Sequence, residues 1–584
     1  MVAKPTTSTP GASTGGGNWL RGEARCLIVL FAAVFACWLP RLKGPIDLRW
    51  DGGVYYVLGT SLAEGKGYRL LNEPGEIEAN QYPPLLSAII AAHQRLLRTN
   101  DPVVVGQWLR ILYFLIFIIY IPTVYLMARS YLPSAHAFLT TLVTLFNLDT
   151  YFLSDICFPE IPFALTTTLF ILCSRKSDQR TYGVLAALLA VAAYTLRTAG
   201  IALLAAWVGE SMLKRDYKRA ALRSAVSAGA VFGWLLYISA VESGAQYRNP
   251  AYEYQRADYL YYNVSYARNV FRLKEPFSPE LGPPSFGDIS ARFLRNLKTI
   301  PLSLGESVSS RRKLWQLEWN TFNQFSPFPL NVPWVVSLAL GTLGCLILGG
   351  TGLQLARRDW VIPLYAVLSL ATICLTPWPE QFTRYLAPLA PFLALSLFTL
   401  LLKLQVLSRG FLPIRWRAMG TILSGAVVAV ILLQQSLTLY LVYSRWHQRV
   451  VYSSRNGSEV SYRLFFYPDT HRAFNAGIDW LKSRAKPGDV VASSMPHWVY
   501  LRTGLKSVMP PFERDPAKAQ RLLDSVPVNY MLVEEGLALE TRAYTLPVTQ
   551  TFPGQWRRVY SDSVITETGE ALTERFEIYQ RIHH

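Results

Sequence analysis

Runs of roughly 16–25 predominantly apolar residues, each long enough to cross a hydrocarbon core of about 30 Å, recur along this chain of 584 residues. They read at about 26–40, 105–128, 134–150, 157–174, 181–196, 198–213, 219–241, 332–353, 360–377, 385–403 and 417–441. A chain that buries so many such runs must satisfy every backbone polar group inside the bilayer, which for separate apolar runs means helices. The expected fold is an α-helical polytopic membrane protein with about eleven spans.

Composition agrees. Hydrophobic residues make up 51% and charged residues 16%, with a mean hydropathy of +0.20, whereas soluble domains carry about a quarter charged residues. The net charge of +18 does not imply nucleic acid, because Lys and Arg cluster in short loops between apolar runs. Such placement sets orientation and meets anionic headgroups of the membrane lipids. All six cysteines (Cys26, Cys37, Cys157, Cys173, Cys345, Cys374) lie in or beside apolar runs, in no metal-binding spacing.

Loop charge predicts the topology. With the N-terminus cytoplasmic, the inside loops hold Arg129; Arg175, Lys176 and Arg180; Lys214, Arg215, Lys218 and Arg219; Arg357 and Arg358; and the stretch from Lys403 to Arg417. The segment Pro83–Leu97 is apolar but short; counting it as a span would invert every later loop, so it is expected to lie in the interface. The domains predicted are a disordered cytoplasmic tail at 1–25, a transmembrane domain at 26–444 and an extracytoplasmic α/β domain at 445–584. Outer loops fall near 41–104 and 242–331. In the last domain, Asp489–Ser494 and Val528–Val533 read as buried strands, flanked by helices at Ala473–Arg484 and Pro516–Leu523.

Ionisable groups at the outer face are the chemical candidates. Asp51 sits among Trp50, Tyr55 and Tyr56 just beyond the first span. Asp155 and Glu160 flank Pro159, with Glu160 entering an otherwise uncharged helix, where a carboxylate is costly unless paired. Arg197 and the turn Glu380-Gln381-Phe382-Thr383-Arg384-Tyr385 bring cations to the same face. Interfacial aromatics, a helix start favouring acids and snorkelling arginines would account for these residues without any function. Together they offer more: acids that deprotonate a hydroxyl, and guanidinium groups that grip a phosphate through a planar fork.

These residues make the chain resemble the GT-C superfamily of membrane glycosyltransferases, in particular its protein mannosyltransferase, aminoarabinose transferase and RgtA/B/C/D-like branch. The resemblance rests on Trp50-Asp51 with Tyr55-Tyr56, Gly65-Lys66-Gly67-Tyr68, Tyr82-Pro83-Pro84-Leu85, Asp155 with Pro159-Glu160, and Arg384-Tyr385 with Pro388. It covers about 26–405, and the long outer loop after the seventh span fits it.

The resemblance implies a membrane-bound hexosyl- or pentosyltransferase acting at the outer face of the plasma membrane. It would move a sugar, with inversion, from a polyprenyl-phosphate-linked donor to a lipid, glycan or protein acceptor. Asp51 would be the catalytic base, Asp155 and Glu160 its supports, and Arg384 the holder of the carrier phosphate. Tyr55, Tyr56, Lys66, Tyr82, Arg197 and Tyr385 join Arg384 as substrate-binding candidates. Many members carry a second acid after the first-loop Asp; here Gly52 stands there, which leaves a divalent metal open as cofactor without requiring it. The alternative from another class is a secondary transporter of a small anionic or sugar-like solute, though such proteins usually show repeated halves around a midplane site.

Overall fold

Helices form along the apolar runs. The computed structural model describes residues 16–324, 331–411, 413, 418–453, 459–534, 541–562 and 576–582. The chain begins with α1 (Gly16–Trp38), α2 (Asp51–Ala63), α3 (Leu85–Leu97), α4 (Pro102–Arg129) and α5 (Ser134–Leu145). There follow α6 (Leu148–Leu153), α7 (Glu160–Ser174), α8 (Arg180–Leu196), α9 (Ile201–Leu213) and α10 (Tyr217–Ser243). Later long helices are Phe286–Val308, Val332–Ala356, Val361–Cys374, Ala390–Phe411 and Met419–Arg445.

Among the described residues, six helical stretches are long and apolar enough to cross a membrane: Gly22–Arg41, Pro102–Arg129, Tyr217–Ser243, Val332–Ala356, Pro379–Gly410 and Met419–Arg445. Shorter apolar helices, α5, α7, α8, α9 and Val361–Cys374, stand where the other five spans were expected. One of those expectations, 134–150, is divided. Asn147 accepts a hydrogen bond from the Thr150 amide at 3.0 Å and caps a new helix, so α5 stops and α6 starts within the run.

The first helix starts at Gly16, ten residues before the apolar run at Cys26, so 16–25 is helix rather than disordered tail. Residues 1–15 and part of the basic stretch Lys403–Arg417 lie outside the described residues.

The two loops expected outside both contain helices. The segment expected to lie in the interface forms α3, which packs along α2. In the long loop, the amphipathic helix Phe286–Val308 opens with a reciprocal cap between Ser285 and Asp288. It packs along Val332–Ala356 at two close approaches: a Cβ on Gly305 or Gly344 would fall on the backbone of Leu340 or Pro301.

The tail is the small α/β domain that the sequence predicts. A hairpin, β1 (His447–Ser453) with β2 (Glu459–Phe465), leaves the last long helix directly. Next comes a five-stranded sheet of β3 (Val490–Ala492), β4 (Lys506–Val508), β5 (Val528–Glu534), β6 (Trp556–Asp562) and β7 (Phe576–Arg581). Its order is β4-β3-β5-β7-β6, with β4, β3 and β5 parallel and the β7-β6 edge antiparallel. The expected strands are β3 and β5, and the expected helices are Asp469–Arg484 and Pro516–Asp524. The hairpin, β4, β6 and β7 are additions that the reading of the sequence missed.

Candidate active site

Asp51 is the first residue of α2, and the residue before it is strained. Trp50 has φ 53° and ψ −131°, outside the regions open to a bulky side chain, a conformation that costs about 1–3 kcal/mol and persists only where its surroundings enforce it. Those surroundings are visible. Asp47 pairs with Ile156 in a short parallel bridge, its amide donating to the Asp155 carbonyl at 3.2 Å and its carbonyl accepting from the Cys157 amide at 2.9 Å. The first loop is thereby stitched to the turn that leads into α7.

Arg49 holds the other side. Its guanidinium pairs with Asp47 at 2.6 Å and donates to the carbonyls of Phe465 and Phe466 in the tail at 2.8 and 2.9 Å. Trp50 lies over the same guanidinium, 4.4 Å from ring centroid to Cζ, and meets His471 edge-on.

On this frame four charges converge. Arg384 Nη2 donates to Asp51 Oδ2 at 2.6 Å and its Nε donates to Glu160 Oε1 at 2.7 Å. Arg197 Nη1 stands 3.2 Å from the same Glu160 oxygen. Glu160 is fully buried at the first turn of α7, where the helix dipole favours an acid. A buried carboxylate survives there because two cations face it; an unpaired one would cost several kcal/mol. Its second oxygen, Oε2, has no hydrogen-bond partner among the described residues.

The arginines come from breaks in apolar helices. Arg197 ends α8, with extended backbone before the turn to α9. Arg384 sits on the single turn Phe382–Leu386. Asn296 of the long-loop helix holds the preceding segment by donating to the carbonyls of Cys374 and Thr376 at 2.9 and 3.0 Å. Phe158 supplies a floor: its ring lies 4.2 Å below the Arg384 Cζ, and Tyr113 donates to its carbonyl at 2.5 Å.

Aromatic side chains wall the cluster. Tyr55 and Tyr82 meet at 4.8 Å between centroids, and Tyr82 and Tyr262 at 6.4 Å. Tyr262 Oη reaches Asp51 Oδ1 at 3.4 Å, and burial raises its phenol well above the ordinary value. Tyr385 flanks Arg197, with 5.7 Å from its ring centroid to the guanidinium carbon. His497 of the tail helix Pro496–Thr503 packs edge-on against Tyr262 at 4.7 Å.

The structure therefore gathers Asp51, Glu160, Arg384, Arg197, Tyr55, Tyr82 and Tyr385 in one place. Three expected residues stand elsewhere. Asp155 is buried between Arg110 at 3.5 Å and Arg41 at 3.9 Å, because its turn runs behind the Asp47 bridge; it fastens the frame and does not join the cluster. Tyr56 points away from Tyr55 and donates to the Asn100 carbonyl at 3.0 Å. Lys66 is half-exposed and pairs with Glu64 and Glu76.

Conversely, Phe158, Tyr262 and His497 were missed. Only Tyr262 left a trace in the sequence, within the tyrosine-rich stretch Tyr259-Leu260-Tyr261-Tyr262 of the long loop.

Among the described residues no three His, Cys, Asp or Glu side chains gather as metal ligands. The two acids of the cluster are bridged by a guanidinium, a donor set that does not suit a cation. A surface cavity of about 130 Å³ bordered by Phe277, Phe512, Arg514 and Tyr544 shares no residue with the cluster.

The sequence matches no protein-family model and no curated protein. Solved structures do match its fold. The archaeal oligosaccharyltransferase AglB from Archaeoglobus fulgidus, in complex with an inhibitory peptide and a dolichol-phosphate, is similar over 96% of this chain and 74% of its own, with a TM-score of 0.50 at 13% identity. ArnT from Cupriavidus metallidurans, in the apo state, is similar over 97% of this chain and 98% of its own, with a TM-score of 0.50 at 12% identity.

Proposed function

On the premise that this chain carries the GT-C fold of membrane glycosyltransferases, we propose that it transfers a sugar from a polyprenyl-phosphate carrier to a hydroxyl-bearing acceptor at the outer membrane face. The observation that carries this reading is Arg384, a guanidinium shared between Asp51 and Glu160 and backed by Arg197. Base and phosphate clamp are the two parts such a transfer needs, and here they touch. AglB, of the same fold, is solved with a dolichol-phosphate, which agrees with a lipid-phosphate donor.

In the reaction proposed, the acceptor oxygen attacks the anomeric carbon while Asp51 takes the hydroxyl proton. The bond from that carbon to the phosphate oxygen breaks, and the phosphate leaves with the bonding electrons. Arg384, assisted by Arg197, meets the charge growing on the phosphate through its fork of N–H donors. Glu160 fixes the orientation of Arg384. A single displacement inverts the anomeric centre, and no step passes through a metal. The ring faces of Tyr55, Tyr82 and Tyr385 suit the apolar faces of a sugar.

The test is a lipid analysis. Cells lacking the protein, or holding only its Asp51→Asn variant, are expected to accumulate a sugar-linked polyprenyl phosphate identifiable by mass spectrometry. An unchanged pool of lipid-linked sugars in both strains would reject the reading and favour the transporter alternative.

A further inference from the structure

The Asp51 carboxylate has two unlike sides. Its Oδ2 is engaged by Arg384 at 2.6 Å, while Oδ1 receives, among the described residues, only a long hydrogen bond of 3.4 Å from Tyr262. The cationic side suits the donor phosphate. The other side is lined by neutral groups: Tyr262, Tyr261, which packs on it at 4.3 Å, and His497. An acceptor hydroxyl must reach a carboxylate oxygen to surrender its proton, and Oδ1 is the less committed one.

His497 is out of place unless it serves that side. It is 3% exposed, and its Nε2 has no hydrogen-bond partner among the described residues. A buried polar atom left without a partner costs about 1–3 kcal/mol, so such atoms call for a reason. Burial holds the imidazole neutral, with its pKa down at about 3, and Asp51 is the charge that acts on it. The chain also makes room for it. A Cβ on Gly53, in the first turn of α2, would come within 3.1 Å of the Leu48 carbonyl oxygen and 3.3 Å of the His497 Cβ, so the glycine lets the tail helix close onto α2. Helix Pro496–Thr503 follows β3 of the tail sheet directly, with Ser493 bound to the Val508 carbonyl at 2.9 Å. The imidazole is therefore carried by a rigid element.

We propose that the C-terminal domain supplies part of the acceptor site, with Nε2 of His497 hydrogen-bonding an uncharged hydroxyl group of the acceptor beside Asp51. The proposal rests on the glycosyl-transfer reading above. His497 thereby positions the acceptor, and the tail belongs to the reaction chamber.

The experiment uses the full-length purified protein, the lipid-linked sugar that accumulates in cells lacking it, and an envelope lipid extract as the source of acceptor. Two quantities are read: the ratio of sugar transferred to the extract over sugar released to water, and the affinity for undecaprenyl phosphate as a donor-side probe. His497→Phe keeps the ring and removes the hydrogen bond. It is expected to lower the transfer ratio by about tenfold, the scale of one lost hydrogen bond, with undecaprenyl phosphate affinity within about twofold of wild type. His497→Gln, which returns a nitrogen near the Nε2 position, should restore most of the ratio.

A wild-type ratio in His497→Phe overturns the proposal, as does a loss of donor affinity in step with the ratio, which would mark a packing role. Should His497→Phe fail to fold, His497→Asn decides: it stays polar but withdraws its amide from the Nε2 position, and a wild-type ratio there is equally fatal. A wild-type protein that releases no sugar from the lipid would instead sink the glycosyl-transfer reading itself.

Discussion

Arg384 joins Asp51 to Glu160, donating to one carboxylate at 2.6 Å and to the other at 2.7 Å from adjacent corners of one guanidinium. The geometry keeps the cation within reach of anything that Asp51 touches. On the proposed reading, base and clamp cannot be tuned separately in such an arrangement.

Replacing Arg384 by Ala is expected to weaken undecaprenyl phosphate binding by about tenfold or more, the scale of a lost hydrogen bond to a charged group. Arg384→Lys should recover only part of it, since an ammonium lacks the planar fork. Titration of each purified variant with the lipid checks this, and unchanged affinity in Arg384→Ala would remove the residue from the donor site.

Asp51→Asn preserves shape and removes the base. General base catalysis typically contributes 10²–10⁴-fold, so turnover at saturating donor should fall by at least about two decades while the thermal transition stays near wild type. Asp155→Asn is predicted to do the reverse. It leaves Arg41 and Arg110 facing each other in a buried place, so the melting temperature should drop while turnover per folded molecule stays within a few-fold. A turnover loss in Asp155→Asn equal to that of Asp51→Asn would restore it to the catalytic set.

Chelation offers an independent check. With Asp51 and Glu160 bridged by a guanidinium, EDTA treatment should leave the rate within about twofold of the untreated protein. A rate abolished by EDTA and restored by a divalent cation would require a different donor set.

Stability should depend on pH through Glu534, at the end of β5. Burial pushes its carboxyl from near 4.5 up to about 8, and its one hydrogen-bond partner among the described residues is the Ser494 amide at 2.8 Å. The folded state thus holds a proton that the unfolded state releases. The stabilisation is fully present below about pH 4.5 and is lost as the pH rises through about 8. Between pH 5.5 and 9 the wild-type melting temperature should fall more steeply than that of Glu534→Gln, which carries no titrating group there; parallel slopes in a thermal scan would contradict this.

Orientation can be checked by thiol labelling of intact cells. Arg514 of the tail and Asp178 of the loop between α7 and α8 are well exposed. Arg514→Cys should react with an impermeant reagent from outside, and Asp178→Cys only after permeabilisation. Reaction of Asp178→Cys in intact cells would invert the topology.

What the sequence disclosed, and what it withheld, follows from the range of the forces involved. Glu160 and Arg384 were legible because a charge at the end of an apolar run has few inert explanations. Asp155 met the same test, but its partners Arg41 and Arg110 belong to other helices, and nothing local separates a frame acid from a site acid. Tyr55 and Tyr56 are neighbours on a helix, about 100° apart around its axis, so only one of them could face Asp51, and which one depends on where α2 begins. The strained Trp50 fixes that start. His497 was invisible for a different reason. Its contact with Tyr262 spans two segments that only the tail sheet and the long-loop helices bring together. The strands missed in the tail are edge or antiparallel members such as β6, whose half-exposed residues carry no continuous apolar run.

The bond from Arg49 to the Phe465 carbonyl crosses 416 residues of sequence, and this sets an order on the protein's birth. A ribosome delivers Asp51 and its strained neighbour early, long before the backbone that steadies Arg49 has been made. Until β2 emerges, Arg49 lacks the tail carbonyls that hold it, and the frame around Asp51 is unfinished. The frame is complete only when the last folded unit docks on the first loop.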